Sequence, residues 1–376
     1  MQQLIDIASH PEVGPHIAVM PDCHVGYGVP IGCVAPTIGA VIPNAVGVDI
    51  GCGLHAIQTG VHYDRERMDQ RFWREWGGQV NRDIPTGFQS HKSPEPLGAL
   101  DQSLRASSLQ ALVRERAAFQ LGTLGGGNHF LEALVDDDDE LWLMVHSGSR
   151  HTGLRIAEHY NQAAIESTER RRLVTAKDLA SLPLDDPEGQ DYMTDMGWAA
   201  EYALANRLLM GQRLHSAFRT MMERRKLDIG PDEPRRVINI HHNFARIEDY
   251  DGQSLVIHRK GATSAYDGEY GVIPGSMGTA SYIVRGLGNE QSYRSCSHGA
   301  GRVMGRGAAR REITSDVFAA SLADTHSRAS MSYVDEAPAA YKDIHVVIER
   351  QLDLIEVMHV LQPIMTVKGD SRARDD

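Results

Sequence analysis

Residues 141–150 read Leu-Trp-Leu-Met-Val-His-Ser-Gly-Ser-Arg: five apolar residues, then at once a polar, glycine-containing pentapeptide. Such a run reads as a short β-type segment that stops at a turn, with His146 at its end. The same grammar occurs in Val46-Gly47-Val48-Asp49-Ile50-Gly51-Cys52-Gly53, and again where Arg236-Val237-Ile238-Asn239-Ile240 leads into His241-His242-Asn243. Strand ends that converge on one edge of a sheet are common places for sites, because rigid elements hold reactive side chains on short loops. Each motif taken singly is equally well an ordinary turn.

Outward from these motifs, residues 20–60 are rich in Gly, Pro and Val and read as short strands joined by tight turns. Leu104, Leu109, Leu112, Val113 and Phe119 recur at helical spacing and predict a helix over 100–120. Further helices are expected over 192–225 and 339–361. The five acids of 136–140 lie between apolar segments and read as a solvated turn rather than an ion site. Without repeats or a Pro/Ser-rich linker, the simplest architecture is α+β: one large domain over 1–376, with mixed β-sheets and helical insertions.

The chain has 376 residues, 41% of them hydrophobic, and carries 38 Lys+Arg against 50 Asp+Glu, a net charge of −12. That is enough apolar material for a sizeable core, and the balance argues against coating nucleic acid by bulk charge. A local basic groove remains compatible with it. Apolar runs fall short of the roughly 18 residues a membrane span needs, and Met-Gln-Gln-Leu-Ile-Asp lacks the layout of a signal peptide. Four cysteines, none in a CxxC, suit a reducing cytoplasm in which a special Cys acts as ligand or nucleophile.

Asp49 and Cys52 lie three apart in a Gly-flanked turn, so both side chains can face one point. Cys52 by itself reads as a small buried residue; its neighbours raise the functional reading. His129 follows Gly125-Gly126-Gly127-Asn128, and His146 and His242 each end an apolar run. Three His, one Cys and one Asp suffice for two metals if the thiolate bridges, and ligand softness alone points to zinc. His10, His16, His62, His91, His159, His215, His326, His345 and His359 read as surface or internally satisfied, and His241 stays ambiguous beside His242.

Gly-rich turns near basic residues suggest anion nests: 259–262 (Arg-Lys-Gly-Ala), 274–278 (Pro-Gly-Ser-Met-Gly) and 297–302 (Ser-His-Gly-Ala-Gly-Arg). There is no GxxxxGK[ST], and the position where a Lys-x-Asp-Gly ligase would carry its lysine is Ala265. His298, on a Gly-rich loop with Arg302 four residues on, suits attack on phosphorus; the plain alternative is a histidine capping a loop.

With these residues in view, MPDCHVGYGVPIG (20–32), GVDIGCG (47–53), LGTLGGGNHFLE (121–132), HSGSR (146–150), HHN (241–243), RKGA (259–262), IPGSMGTASYIVRGLGNEQS (273–292) and CSHGAGRVM (296–304) resemble, in the same order, the RtcB family of RNA-splicing ligases. The likeness runs from about residue 3 to Lys368. It implies the family's α+β fold, and GTP- and manganese-dependent joining of an RNA 3′-phosphate or 2′,3′-cyclic phosphate to a 5′-hydroxyl. Carried over by position, Asp49, Cys52 and His129 would hold one manganese, and Cys52, His146 and His242 the other. Manganese here replaces the zinc that ligand softness suggests. His298 would be the guanylated nucleophile. Asn128, Glu132, Asn243, Pro274, Gly275, Ser276, Met277, Ser281, Gly299, Ala300, Gly301 and Lys368 would contact the guanylate, with Arg150 and Arg302 on phosphates. RNA would be held by a local set including Arg150, Arg259, Lys260 and Arg302. An archease-type activator is a further expected partner, and the cytoplasm the expected compartment.

Three departures stand out. Family members usually carry a couple of dozen residues ahead of the point where this sequence begins, none of them among the assigned positions. His151 stands where Gly commonly follows SGSR, and Cys23 lies between Asp22 and His24 at a variable position. Two rivals keep part of the pattern: a metal-dependent phosphodiesterase that opens cyclic phosphates without ligating, and a non-catalytic RNA-end-binding protein. The first would not need His298 or Lys368; the intact loop 298–302 argues against the second.

Overall fold

A computed structural model describes residues 1–176 and 178–369, and every site residue singled out above lies within them. The strand Glu140–Ser147 is buried along its whole length, and its side chains alternate between two cores. Leu141, Leu143 and Val145 face one core; Trp142 and Met144 face the other. This is the period-two geometry of a strand covered on both sides.

It sits inside a seven-stranded antiparallel sheet whose order is Tyr270–Ile273, Ser281–Gly286, Ile355–Lys368, Phe130–Val135, Glu140–Ser147, Gly53–His62, Arg236–His241. One face is covered by the helices Gln70–Asp83 and Pro187–Arg224, which bring Phe72, Trp73, Trp76, Met210, Leu214 and Phe218 onto it. Fully burying a side chain of the Leu or Phe kind contributes about 1.5–3 kcal/mol, so this layer anchors the fold. The other face curls on itself: Arg236 on one edge strand stacks over Tyr270 on the opposite edge strand, 4.0 Å from the ring centre. A second sheet, Ala18–His24, Ile31–Thr37, Gln253–Lys260, Asn243–Tyr250, packs beside it. Strand Arg236–His241 runs almost directly into Asn243–Tyr250, so His242 sits at the joint between the sheets.

Three expectations change. The helix expected over 339–361 is a 3-10 turn Pro338–Ala340, a short helix Ile344–Glu349, and then the strand Ile355–Lys368. That strand pairs with Ser281–Gly286 on one side and Phe130–Val135 on the other, and central sheet pairing outweighs the helical spacing. The helix expected over 100–120 is a 3-10 turn Gly98–Leu100, a non-helical stretch, and then a helical run from Ser107 that passes through a π-turn at Val113–Ala117. Ahead of it, the Asp195 carboxylate accepts from the backbone N–H of Arg105 and Ala106 and keeps the chain out of a helix. In the acidic run 136–140 only the tip is solvated. Asp136 is buried and accepts from Trp142 Nε1 at 2.9 Å, and buried Glu140 accepts from Gly60 N at 2.7 Å. The expected long helix near 192–225 is present as Pro187–Arg224.

Among the described residues no helix is long and apolar enough to cross a membrane.

Candidate active site

Sheet register builds the floor of the site. Lys368 pairs with Phe130, Phe130 with His146, and His146 with Leu54; one step along, Thr366 pairs with Glu132. Register partners share a face, so the side chains of Phe130, Glu132, His146, Thr366 and Lys368 stand together at one end of the large sheet.

Beyond that end, the turn 49–52 closes against its neighbours through backbone bonds from Gly51 N to Asn243 O and from His242 N to Cys52 O. The glycine after Cys52 is a packing requirement: a Cβ on Gly53 would lie 1.8 Å from the carbonyl oxygen of Ile240. Gly148 plays the same part for Asp49, whose carboxylate fills the space where a Cβ would be and accepts from Ser149 N at 3.1 Å.

The five expected donors come together. Cys52 Sγ lies 3.5 Å from His129 Nε2 and 3.4 Å from His146 Nε2, His146 Nε2 lies 3.1 Å from His242 Nε2, and His129 Nε2 lies 3.0 Å from Asp49 Oδ2. They form two overlapping triads, Asp49–Cys52–His129 and Cys52–His146–His242, that share the thiol. The residues fit a metal. His129 Nδ1 donates to the Leu124 carbonyl at 3.0 Å, which leaves the Nε2 lone pair facing the cluster. Burial drives His146 and His242 far below the usual imidazole range, so both are neutral and ligand-ready, and the closely facing Nε2 atoms suit a cation between them. Burial also pushes the Cys52 thiol up to about 12, and a bound cation would favour its thiolate form.

His298 stacks on His242, with ring centres 4.8 Å apart. Its Nδ1 lies 2.6 Å from Asp22 Oδ2, and the same oxygen accepts from the His298 backbone N–H. A carboxylate only accepts, so Nδ1 carries the hydrogen and Nε2 presents its lone pair. Asp22 is fully buried and its segment is tied down by Lys342 Nζ, which donates to the carbonyls of Pro21 and Cys23.

Next to His298 opens a cavity of about 290 Å³. Of the expected guanylate contacts it is lined by Asn128, Glu132, Pro274, Gly275, Ser276, Met277, Ser281, Gly299, Ala300, Gly301 and Lys368, together with His298 and Arg302. Asn243 lies elsewhere: it donates to Asp49 O and accepts from Gly261 N, bracing the donor turn.

Two carboxylates in this cavity differ sharply. Burial raises Glu132 to about 7, only partly offset by the Thr366 hydroxyl that donates to it at 2.7 Å. Burial would raise Glu336 too, but Lys368, Arg306 and Arg302 around it hold it at about 2.

The basic set expected for RNA is rearranged. Arg259 is completely buried, paired with Glu248 and donating to Tyr293 O, and Lys260 Nζ donates inside the protein to Tyr27 O and Asn44 O. Both are internal ties. Arg150 is buried as well, donating through Nε to Thr123 Oγ1 and through NH2 to Gly87 O. Arg302 faces the cavity, joined there by Arg306.

Sequence reasoning missed Asp22, Arg306, Glu336 and Tyr341. Asp22 had a local signal, a lone acid followed by Cys-His after the apolar run Ala18-Val19-Met20. Glu336 had none: the cations around it, Arg302, Arg306 and Lys368, come from separate stretches of the sequence.

The fold and site define a class of protein, one in which a curled sheet presents a mixed thiol, imidazole and carboxylate cluster beside a cavity ringed with cations. The chain matches the family model described as tRNA-splicing ligase RtcB over residues 3–108 and 97–369. It is 38% identical over 388 residues to the RNA-splicing ligase RtcB of Escherichia coli (strain K12), covering 98% of this chain and 93% of that one. It is 30% identical over 441 residues to the tRNA-splicing ligase RtcB of Thermococcus kodakarensis, at 98% and 91% coverage. The chain belongs to the RtcB family.

Proposed function

We propose that this chain is an RNA ligase that uses GTP and two manganese ions to join an RNA 3′-phosphate or 2′,3′-cyclic phosphate to a 5′-hydroxyl, working in the cytoplasm on RNA splicing or repair. The reading rests above all on His298. Its Nδ1 hydrogen is held by Asp22, and its Nε2 lone pair stands between a nucleotide-sized cavity and the five-donor cluster.

His298 Nε2 attacks the α-phosphorus of GTP; the bond to the bridging oxygen breaks, pyrophosphate leaves, and a phosphoramidate forms. Asp22 stabilises the charge that the imidazole gains, as a carboxylate does in other His-dependent reactions. The guanylate passes to the RNA 3′-phosphate, freeing His298, and the 5′-hydroxyl attacks that phosphorus and expels GMP. Glu132 and Lys368 contact the guanylate from the sheet face, the loop 299–301 offers its backbone amides, and Arg302 offers a planar fork to phosphate oxygens. The donors Asp49, Cys52, His129, His146 and His242 would hold the metals, which supply charge neutralisation and acidify a bound hydroxyl or water.

Incubation with α-labelled GTP and manganese, followed by a denaturing gel, tests this. Acid-labile label on the protein, abolished by His298→Ala, is the expected result. Metal-loaded wild-type protein that acquires no label would overturn it.

A further inference from the structure

The long helix Pro187–Arg224 contributes no donor to the cluster and no wall to the cavity, yet it carries a buried charge directly behind them. Arg207 is 0% exposed. Among the described residues no carboxylate pairs with it. Its partners are instead the backbone and neutral side chains next to the donors. NH1 donates to Gly51 O at 2.7 Å and to Ser147 O at 2.9 Å, NH2 lies 3.2 Å from His241 Nδ1, and Nε donates to Asn239 Oδ1 at 2.8 Å.

Gly51, Ser147 and His241 are the immediate chain neighbours of Cys52, His146 and His242. Asn206, one residue before, does the same for the rest. Its Oδ1 accepts from Gly122 N and Thr123 N, and its Nδ2 donates to Thr123 O, Ser147 Oγ and Gly148 O. Leu124, next in that segment, supplies the carbonyl that orients His129.

A buried guanidinium is expensive, and burial does pull Arg207 down to about 10. Its planar fork is what lets one side chain hold three separate segments at fixed spacing, which a lysine cannot do. We propose that Arg207, supported by Asn206, is the positioning residue of the metal centre, locking in register the three segments that carry Cys52, His146 and His242. The proposal rests on reading those donors as a metal site.

The test is manganese titration by calorimetry on Arg207→Lys, with cobalt(II) loading to read the thiolate-to-cobalt charge-transfer band, and thermal unfolding of the metal-free proteins. Cys52→Ala serves as the control for the metal reading. The expected result is manganese affinity at least tenfold weaker and a displaced or weakened band, with the metal-free midpoint shifted by only a few degrees. Unchanged manganese affinity and an unchanged band in Arg207→Lys, while Cys52→Ala loses metal, would overturn the inference and leave the metal reading standing. Wild-type protein that binds no manganese would overturn both.

Should Arg207→Lys not fold, Asn239→Ala removes the Nε partner at the margin of the network, along with the bond from Asn239 Nδ2 to Leu204 O. About threefold weaker binding supports the positioning role; binding equal to wild type overturns it.

Discussion

The five-donor cluster and the cation ring of the cavity lie side by side, but different physics holds them. Burial keeps the imidazoles of His146 and His242 neutral and pushes the Cys52 thiol up, and the placement of the donors comes from backbone: strand ends, a glycine with no room for a Cβ, and carbonyls gathered by one helix. The ring around Glu336 is made of full charges drawn from a strand end, a helix start and a loop, and its geometry is set by mutual attraction: Lys368 Nζ at 3.0 Å, Arg306 at 2.6 Å and Arg302 at 3.2 Å from the carboxylate. The first region is preorganised before anything binds. The second is a set of cations gathered on Glu336 and its buried neighbour Asp335, which Arg306 also pairs with at 2.8 Å, close to where phosphates would arrive.

The comparison predicts different failures. The largest effect belongs to the shared donor. Cys52→Ala removes the atom common to both triads, so manganese stoichiometry should fall from two to one or fewer and ligation by at least about 10³-fold, with the fold intact. Elemental analysis of the dialysed protein checks it; two bound manganese ions would break the idea of a bridging thiolate.

Asp22→Asn comes next. An amide at Oδ2 no longer fixes the His298 tautomer, so the rate of guanylation should drop roughly 10²–10⁴-fold while manganese binding stays as in wild type. Single-turnover labelling with GTP measures the first and calorimetry the second. A parallel loss of metal would show that the His298–Asp22 pair and the donor cluster are not separable.

The Glu336 ring should answer chiefly in stability. Its folded carboxyl lies at about 2 against an ordinary 4.5, so the unfolded chain takes up the proton first as pH falls. The stabilisation is complete above about 4.5 and is lost as pH drops toward about 2; it amounts to about 3 kcal/mol. Glu336→Gln should remove that much at pH 7 and flatten the acid limb of the stability curve, as read by urea unfolding at several pH values. An unchanged acid limb would mean that the three cations do not depend on this anion.

Legibility followed the same division. The donors could be picked out because each needs a local sequence signature: a glycine-walled turn at 49–53, Gly-Gly-Gly-Asn before His129, an apolar run ending at His146. The Gly-rich loop 297–302, which lines the cavity, was legible for the same reason. The expectation of manganese rather than zinc came from family likeness, since softness pointed the other way. What stayed hidden was carried by distance in sequence. Glu336 and Lys368 meet only because 355–368 is a central strand, whereas the sequence reads as a helix over 339–361. Arg207 sits in Ala-Asn-Arg-Leu-Leu-Met, where one charge in an apolar helix could as easily have been a snorkelling surface residue. Arg259 and Lys260 looked like a phosphate clamp because a basic pair before a glycine does not reveal which way its strand faces.

The smallest predicted effect tests the cavity's other carboxylate and has the opposite sign. Glu132 is raised to about 7 by burial, so below about 4.5 it is neutral in both folded and unfolded chains and costs nothing. Between about 4.5 and 7 the unfolded chain ionises first, and folding loses stability as pH rises through that window. Glu132→Gln should therefore match wild type at pH 4 and be the more stable at pH 8, by up to about 3 kcal/mol and less where water or a guanylate reaches the carboxylate. In the same variant the GTP KM should rise. If Glu132→Gln is instead destabilised at pH 8, the carboxylate is being held by a cation as Glu336 is, and the contrast between a sheet-borne face and a charge-gathered ring fails inside the cavity itself.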